Sequence, residues 1–272
     1  MTLCIAAACR HENTNMIVLC ADMKVGTWAA KAEIGFKLRW GSANWPAMLS
    51  GEMSRASDLV KTFGAHLNGI QLDFWNVHDS MRAAGNIFRE KLAEEIDHRN
   101  LSVSYEYLKK NKSKFPSSKV LETYTQIGQI DSEAELIITG FIREEPYIFV
   151  VERDCTVTQR DNFACVGTGA YIAEPALYQR GQNHGMTLAR TLYHAYEAKR
   201  LGEIAEGVGK ITVMMAIAPP REGAIEIRFL PVGSAILEVL EQKYQEYGLK
   251  STDEFKWPND FDWKKAIENW KE

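Results

Sequence analysis

The residues with the clearest chemical potential stand at the start of the chain, MTLCIAAACR, where a threonine follows methionine. Methionine before a small residue is ordinarily trimmed, which would leave Thr2 with a free α-amino group. That amine has an ordinary pKa of about 7.7–8.0. One residue would then carry both a hydroxyl nucleophile and a general base able to act near neutral pH. Branching at Cβ restricts χ1 and helps hold the hydroxyl in an attacking rotamer. Such a pair needs a nearby cation to lower its pKa values, a carboxylate to hold the cation, and a backbone N–H for the oxyanion. Lys37 can be the cation. Asp22, closing the second apolar run, can be the carboxylate, and Gly51, where a strand meets a helix, can offer the N–H at a helix N-terminus. Each has an ordinary reading too. A Met-Thr start is commonplace, an aspartate closing a strand is a turn residue or a cap, a strand lysine reaches solvent, and a glycine between elements is geometric. Their joint order carries the reading.

Other routes fail on spacing. Gly207-Val208-Gly209-Lys210 resembles the end of a phosphate loop, but Ile204 stands where the first glycine should be and Ile211 where Ser/Thr should be. Gly167-Thr168-Gly169 opens a dinucleotide fingerprint that Ile172 breaks. There is no G-x-S-x-G elbow and no H-E-x-x-H. The six histidines show no ligand spacing, and five cysteines without a CxxC pair argue against zinc. No metal and no cofactor is expected. With no basic-plus-apolar leader before residues 3–9, the cysteines read as reduced thiols of a cytoplasmic protein. A net charge of −4 gives no field favouring nucleic acid or an anionic membrane, and no apolar run reaches a membrane-spanning length.

The elements that must position these residues follow from periodicity. Residues 3–9 and 16–21 are apolar runs joined by a polar hairpin, the pattern of strands buried on both faces. Further strands are expected at 34–40, 47–50, 136–142, 147–151, 155–159, 163–166, 211–218 and 224–230. In the third, Ile34, Phe36, Leu38 and Trp40 share one face while Lys37 and Arg39 take the other. Helical spacing appears at 56–67, 81–96, 171–180, 186–201 and 234–247. Residues 97–133 turn polar, with further helix near 105–111 and a break at 115–118, and read as a helical insertion at an edge. Clustered strands followed by clustered helices argue for an α+β protein, antiparallel sheets with helices outside, stacked as helix–sheet–sheet–helix. At 272 residues this is one domain over 1–248 with a tail at 249–272, where Trp263, Ile267 and Trp270 fall at helical spacing.

Taken together, Thr2 opening the first strand, Ala21-Asp22-Met23-Lys24 closing the second, Lys37-Leu38, Ser50-Gly51 and Val166-Gly167-Thr168-Gly169 resemble the proteasome β-type subunits and their bacterial relatives, within the N-terminal nucleophile hydrolases. The resemblance spans roughly residues 2–245, apart from the insertion. It implies a four-layer αββα sandwich and threonine peptidase chemistry. Thr2 would be nucleophile and base, Asp22 and Lys37 the charged support, Gly51 the oxyanion donor, and Thr168 a hydrogen-bonding neighbour of the amine. It also implies a peptide or protein substrate and a homo-oligomeric ring, leaving any unfoldase partner unidentified.

The sequence departs from that pattern in three places. The loop between strands one and two is long, and Met23 replaces a small hydroxyl residue. The family's Asp-x-x-Ser pair, which orients the amine, has only Glu203 and Glu206 nearby. A hydrolase of peptide or amide bonds is therefore the first expectation. A catalytically silent assembly subunit and a small-substrate amidase are the alternatives.

Overall fold

The computed structural model describes residues 2–26, 31–32, 37–71, 73–222, 224 and 226–248. Their architecture is mixed α+β, built on two five-stranded antiparallel sheets and seven α-helices among the described residues. The first sheet contains β1 (Cys4–His11), β2 (Thr14–Asp22), β10 (Phe163–Val166), β11 (Thr212–Ala218) and β12 (Arg228–Pro231), in the order β10-β1-β2-β11-β12. The second contains β5 (Leu38–Ser42), β6 (Trp45–Gly51), β7 (Ala134–Ile142), β8 (Glu145–Val151) and β9 (Val157–Arg160), in sequence order. A separate pair, β3 (Val25–Gly26) with β4 (Lys31–Ala32), was not anticipated from the sequence.

Strand alternation sorts the side chains into three apolar clusters. Cys4, Ala6 and Ala8 of β1 and Ile17 and Leu19 of β2 meet Ile137, Ile148 and Val150 of the second sheet, so the two sheets face each other. Leu3, Ile5, Ala7, Val18 and Cys20 point the other way, under α5 (Ala170–Gln179), α6 (Leu188–Gly202) and α7 (Ser234–Tyr247). Leu49, Leu136 and Phe149 likewise pack under α1 (Met53–Leu67) and α2 (Phe74–Leu101). Burial on both faces explains why β1 and β2 are continuous apolar runs instead of alternating ones. The arrangement is compatible with the expected sandwich.

Several boundaries move for identifiable reasons. The helix expected at 81–96 runs the full length of α2, because Asp73 caps it by accepting Asn76 N–H and it ends only at left-handed Ser102. Pro219-Pro220 remove two backbone donors at the end of β11, so the last pairing begins at Ala218↔Arg228, later than expected. Residues 97–133 start inside α2 and continue through α3 (Tyr105–Lys110), a short 3₁₀ turn and α4 (Ser117–Gly128), which packs on α2. The sequence reading missed α4, whose only fully buried residue is the polar Thr123. The third strand is described only from Leu38; residues 34–36 of the expected strand and the tryptophan-bearing tail at 249–272 lie outside the described residues. Trp40 does not join Leu38 in the core: it is 51% exposed at the rim, its ring edge-on to Phe229.

Candidate active site

Thr2 lies immediately before β1, and the pairing of β1 with β2 brings the end of β2 beside it. Asp22 N–H donates to Leu3 C=O, and Leu3 N–H donates to Asp22 Oδ1 at 2.8 Å. That same carboxylate oxygen accepts Thr2 Oγ1–H at 2.8 Å and the Lys37 ammonium at 2.5 Å. Oδ2 accepts the N–H groups of Lys24, at 3.0 Å, and Gly209, at 2.9 Å. Thr2, Asp22 and Lys37 retain only 2%, 1% and 4% of their exposure, so the three polar groups are desolvated together.

Such burial is tolerable only because every charge is met. For Asp22, burial alone would raise the carboxyl pKa. The charge of Lys37, its hydrogen bond, and the Leu3 and Gly209 N–H groups outweigh that and hold it below the ordinary carboxylate value. A lysine at a strand end usually seeks water; here Lys37, just before β5, is retained inside by Asp22 at the end of β2.

The loop before α5 closes the amino side. Thr2 N–H donates to Thr168 Oγ1 at 3.2 Å, and Gly169 N–H donates to Thr2 C=O at 3.2 Å. Gly167 has φ +95°, and a Cβ there would stand 2.4 Å from Thr2 O, so glycine alone allows this close approach. Gly51 ends β6 at φ +94°. Two residues earlier, Leu49 N–H donates to Lys37 C=O, and Gly51 itself lines the same cleft as Gly167 and Thr168. All five residues singled out from the sequence thus border one region. The cleft, lined by Ser50, Gly51, Glu133, Glu135, Arg153, Gly167 and Thr168, opens beside it. A much smaller apolar pocket, walled by Met23, Leu38, Met48 and Met215, adjoins Asp22 and Lys37.

Some participants were missed. Gly209, dismissed with the failed phosphate loop, serves Asp22 through its N–H from 187 residues away. The buried Lys199 steadies that loop by donating to Lys210 C=O at 2.8 Å and to Glu203 at 2.5 Å. Glu203 is therefore committed to Lys199 and Glu206 is exposed, so neither stands in for the missing amine-orienting pair. Glu135 was also overlooked, and Ser50, quoted with Gly51 in the sequence pattern, was given no role of its own. Cys4, two residues beyond Thr2, is not a rival nucleophile: burial, with the charges of Asp22 and Glu135 and against that of Lys37, pushes its thiol up to about 12. Among the described residues no three His, Cys, Asp or Glu side chains converge as a metal site, and no helix is long and apolar enough to cross a membrane.

Compared with known proteins, the chain matches no family model and no curated protein.

Proposed function

We propose that this protein is a threonine-type N-terminal nucleophile hydrolase acting on peptide or amide bonds once Met1 is removed. One observation carries the reading: Thr2 Oγ1 and the Lys37 ammonium share a single buried oxygen of Asp22. In the reaction, Thr2 Oγ1 attacks the carbonyl carbon and its proton passes to the α-amine of Thr2, directly or through a bridging water. The Lys37 ammonium lowers the hydroxyl pKa, and Asp22 fixes that ammonium in place. Gly51 N–H faces the oxyanion. The C–N bond breaks, the amine returns the proton to the leaving nitrogen, and an ester to Thr2 remains. Water then loses a proton to the same amine and adds to the ester; the acyl C–Oγ1 bond breaks, the amine returns the proton to Thr2 Oγ1, and the acid is released.

The two facing sheets with helices outside support the four-layer sandwich of this class. A cytoplasmic homo-oligomeric ring acting on peptides belongs to the same reading. A second reading, a silent assembly subunit of the same fold, draws on the near-complete burial of Thr2 and on Glu203 being engaged elsewhere. Hydrolysis of fluorogenic peptides and simple amides by the wild type and by Thr2→Ala separates them. Turnover that disappears in Thr2→Ala supports the enzyme and names its substrate class; turnover unchanged in Thr2→Ala excludes Thr2 as nucleophile.

A further inference from the structure

An α-amine that serves as a base needs acceptors to aim it and a local field that sets its pKa. Thr168 Oγ1 supplies one acceptor. The two glutamates nearest in sequence to the usual orienting pair face elsewhere. A carboxylate nevertheless reaches this corner, from the opposite sheet. Glu135 sits on β7 directly opposite Ser50 in the β6–β7 register, one residue from Gly51. Its Oε2 accepts Gly167 N–H at 3.0 Å. Gly167 is pressed against Thr2 and Ser50: the Cβ it lacks would stand 2.4 Å from Thr2 O and 2.8 Å from Ser50 Oγ. The buried Cys4 thiol, on β1 beside Thr2, feels the charges of Lys37, Asp22 and Glu135 together.

We propose that Glu135 is a positioning residue for the amino end of Thr2, pinning the loop of Gly167–Gly169 over it and setting its charge environment. The proposal rests on the nucleophile reading above and adds a residue to it. The two effects are separable. The hydrogen bond to Gly167 fixes where Thr168 Oγ1 and Gly169 N–H meet Thr2. The charge acts on the amine itself. Lys37 and Asp22 largely cancel as a pair, and Glu135 makes no ion pair among the described residues. Its negative charge therefore favours the ammonium and raises the amine pKa. The other charges around this corner are Glu133 and Arg153, across the cleft, and Glu152, which is paired with Arg160 at 3.7 Å and also feels Glu135, Asp154 and Glu174. Arg153 is held by Asp131, leaving the balance near Thr2 acidic.

The test uses Glu135→Gln, which keeps an acceptor for Gly167 N–H but removes the charge, and Glu135→Asp, which keeps the charge. Labelling of the Thr2 α-amine by trace cyanate is followed across pH by peptide mass, and needs no substrate. In Glu135→Gln the amine titrates at lower pH; a fall of half a unit makes labelling near pH 6 roughly threefold faster than in wild type. Glu135→Asp restores the wild-type profile, and the acid limb of kcat for any amide turned over moves with the same sign. Should the Gln variant not fold, Glu135→Asn against Glu135→Asp makes the same comparison. A wild-type titration in a folded, Met1-free neutral variant overturns this proposal and leaves the nucleophile reading standing. Retained Met1, or turnover insensitive to Thr2→Ala, overturns both.

Discussion

Replacing Lys37 by methionine removes the ammonium while keeping most of the stem volume, and leaves Asp22 charged, 1% exposed and without its counter-ion. Breaking a buried pair from one side costs about 3–5 kcal/mol. The lower end applies here, because Thr2 Oγ1, Leu3 N, Lys24 N and Gly209 N still donate to the carboxylate. A loss of about 3 kcal/mol is a large part of the ~5–15 kcal/mol available to a typical fold. At roughly 2–4 °C per kcal/mol for a chain of this size, Tm falls by about 6–12 °C. The pH dependence carries the sharper signature. In the wild type the Asp22 carboxyl lies below its ordinary value, so its stabilisation is present at neutral pH and is lost only as pH falls through that depressed folded-state pKa. Without Lys37, burial becomes the dominant influence and the folded-state pKa rises above the unfolded one. The penalty is then largest at neutral pH and is relieved by acidification. Circular dichroism melts at pH 7 and pH 5 should therefore show a gap between wild type and Lys37→Met that narrows at the lower pH. A Tm within about 2 °C of wild type at pH 7, or a gap that widens at pH 5, would refute the coupling of these two residues.

Other consequences are as concrete. Thr2→Ala deletes the hydroxyl bonded to Asp22; turnover should fall by at least about a thousandfold, while stability drops by only about 1–3 kcal/mol in a denaturant melt. Gly167→Ala forces a Cβ to 2.4 Å from Thr2 O at φ +95°, so it should lower Tm by several degrees and abolish turnover together, measured on the same preparation. His194 is buried on α6 with Nδ1 2.9 Å from Gln182 Oε1. Burial first, then the charge of Arg180 and against that of Glu197, lowers its pKa to about 4. Because the unfolded imidazole binds its proton at higher pH, stability should decline as pH falls from about 6.5 to 4, by up to ~3 kcal/mol. In His194→Asn, urea unfolding across that window should show a flatter profile.

Much of this arrangement could be read from the chain before any coordinates. Continuous apolar runs at 3–9 and 16–21 announced strands covered on both faces, and the order Thr2, Asp22, Lys37, Gly51, Thr168 pointed to one region. What escaped was set by contacts distant in sequence. Nothing local marks Gly209 as a donor to Asp22, since the loop carrying it is placed by Lys199 on α6. Glu135 reads as an ordinary polar residue opening a strand, and only the meeting of the two sheets brings it to Gly167. Helix α4 does carry amphipathic spacing, but its only fully buried residue is the polar Thr123, and the polar composition of 97–133 masked it. Trp40 fitted the alternation of its strand, yet alternation fixes a face and not how far the core extends along it.

The central claim is that residue 2, freed of Met1, is the nucleophile. Its most direct test is the intact mass of the purified chain before and after exposure to a β-lactone acylating agent, with the modified peptide mapped. The account predicts a mature chain without Met1 that gains one acyl group as an ester on Thr2, with no adduct in Thr2→Ala. A chain that keeps Met1, or an adduct that persists in Thr2→Ala, would contradict it.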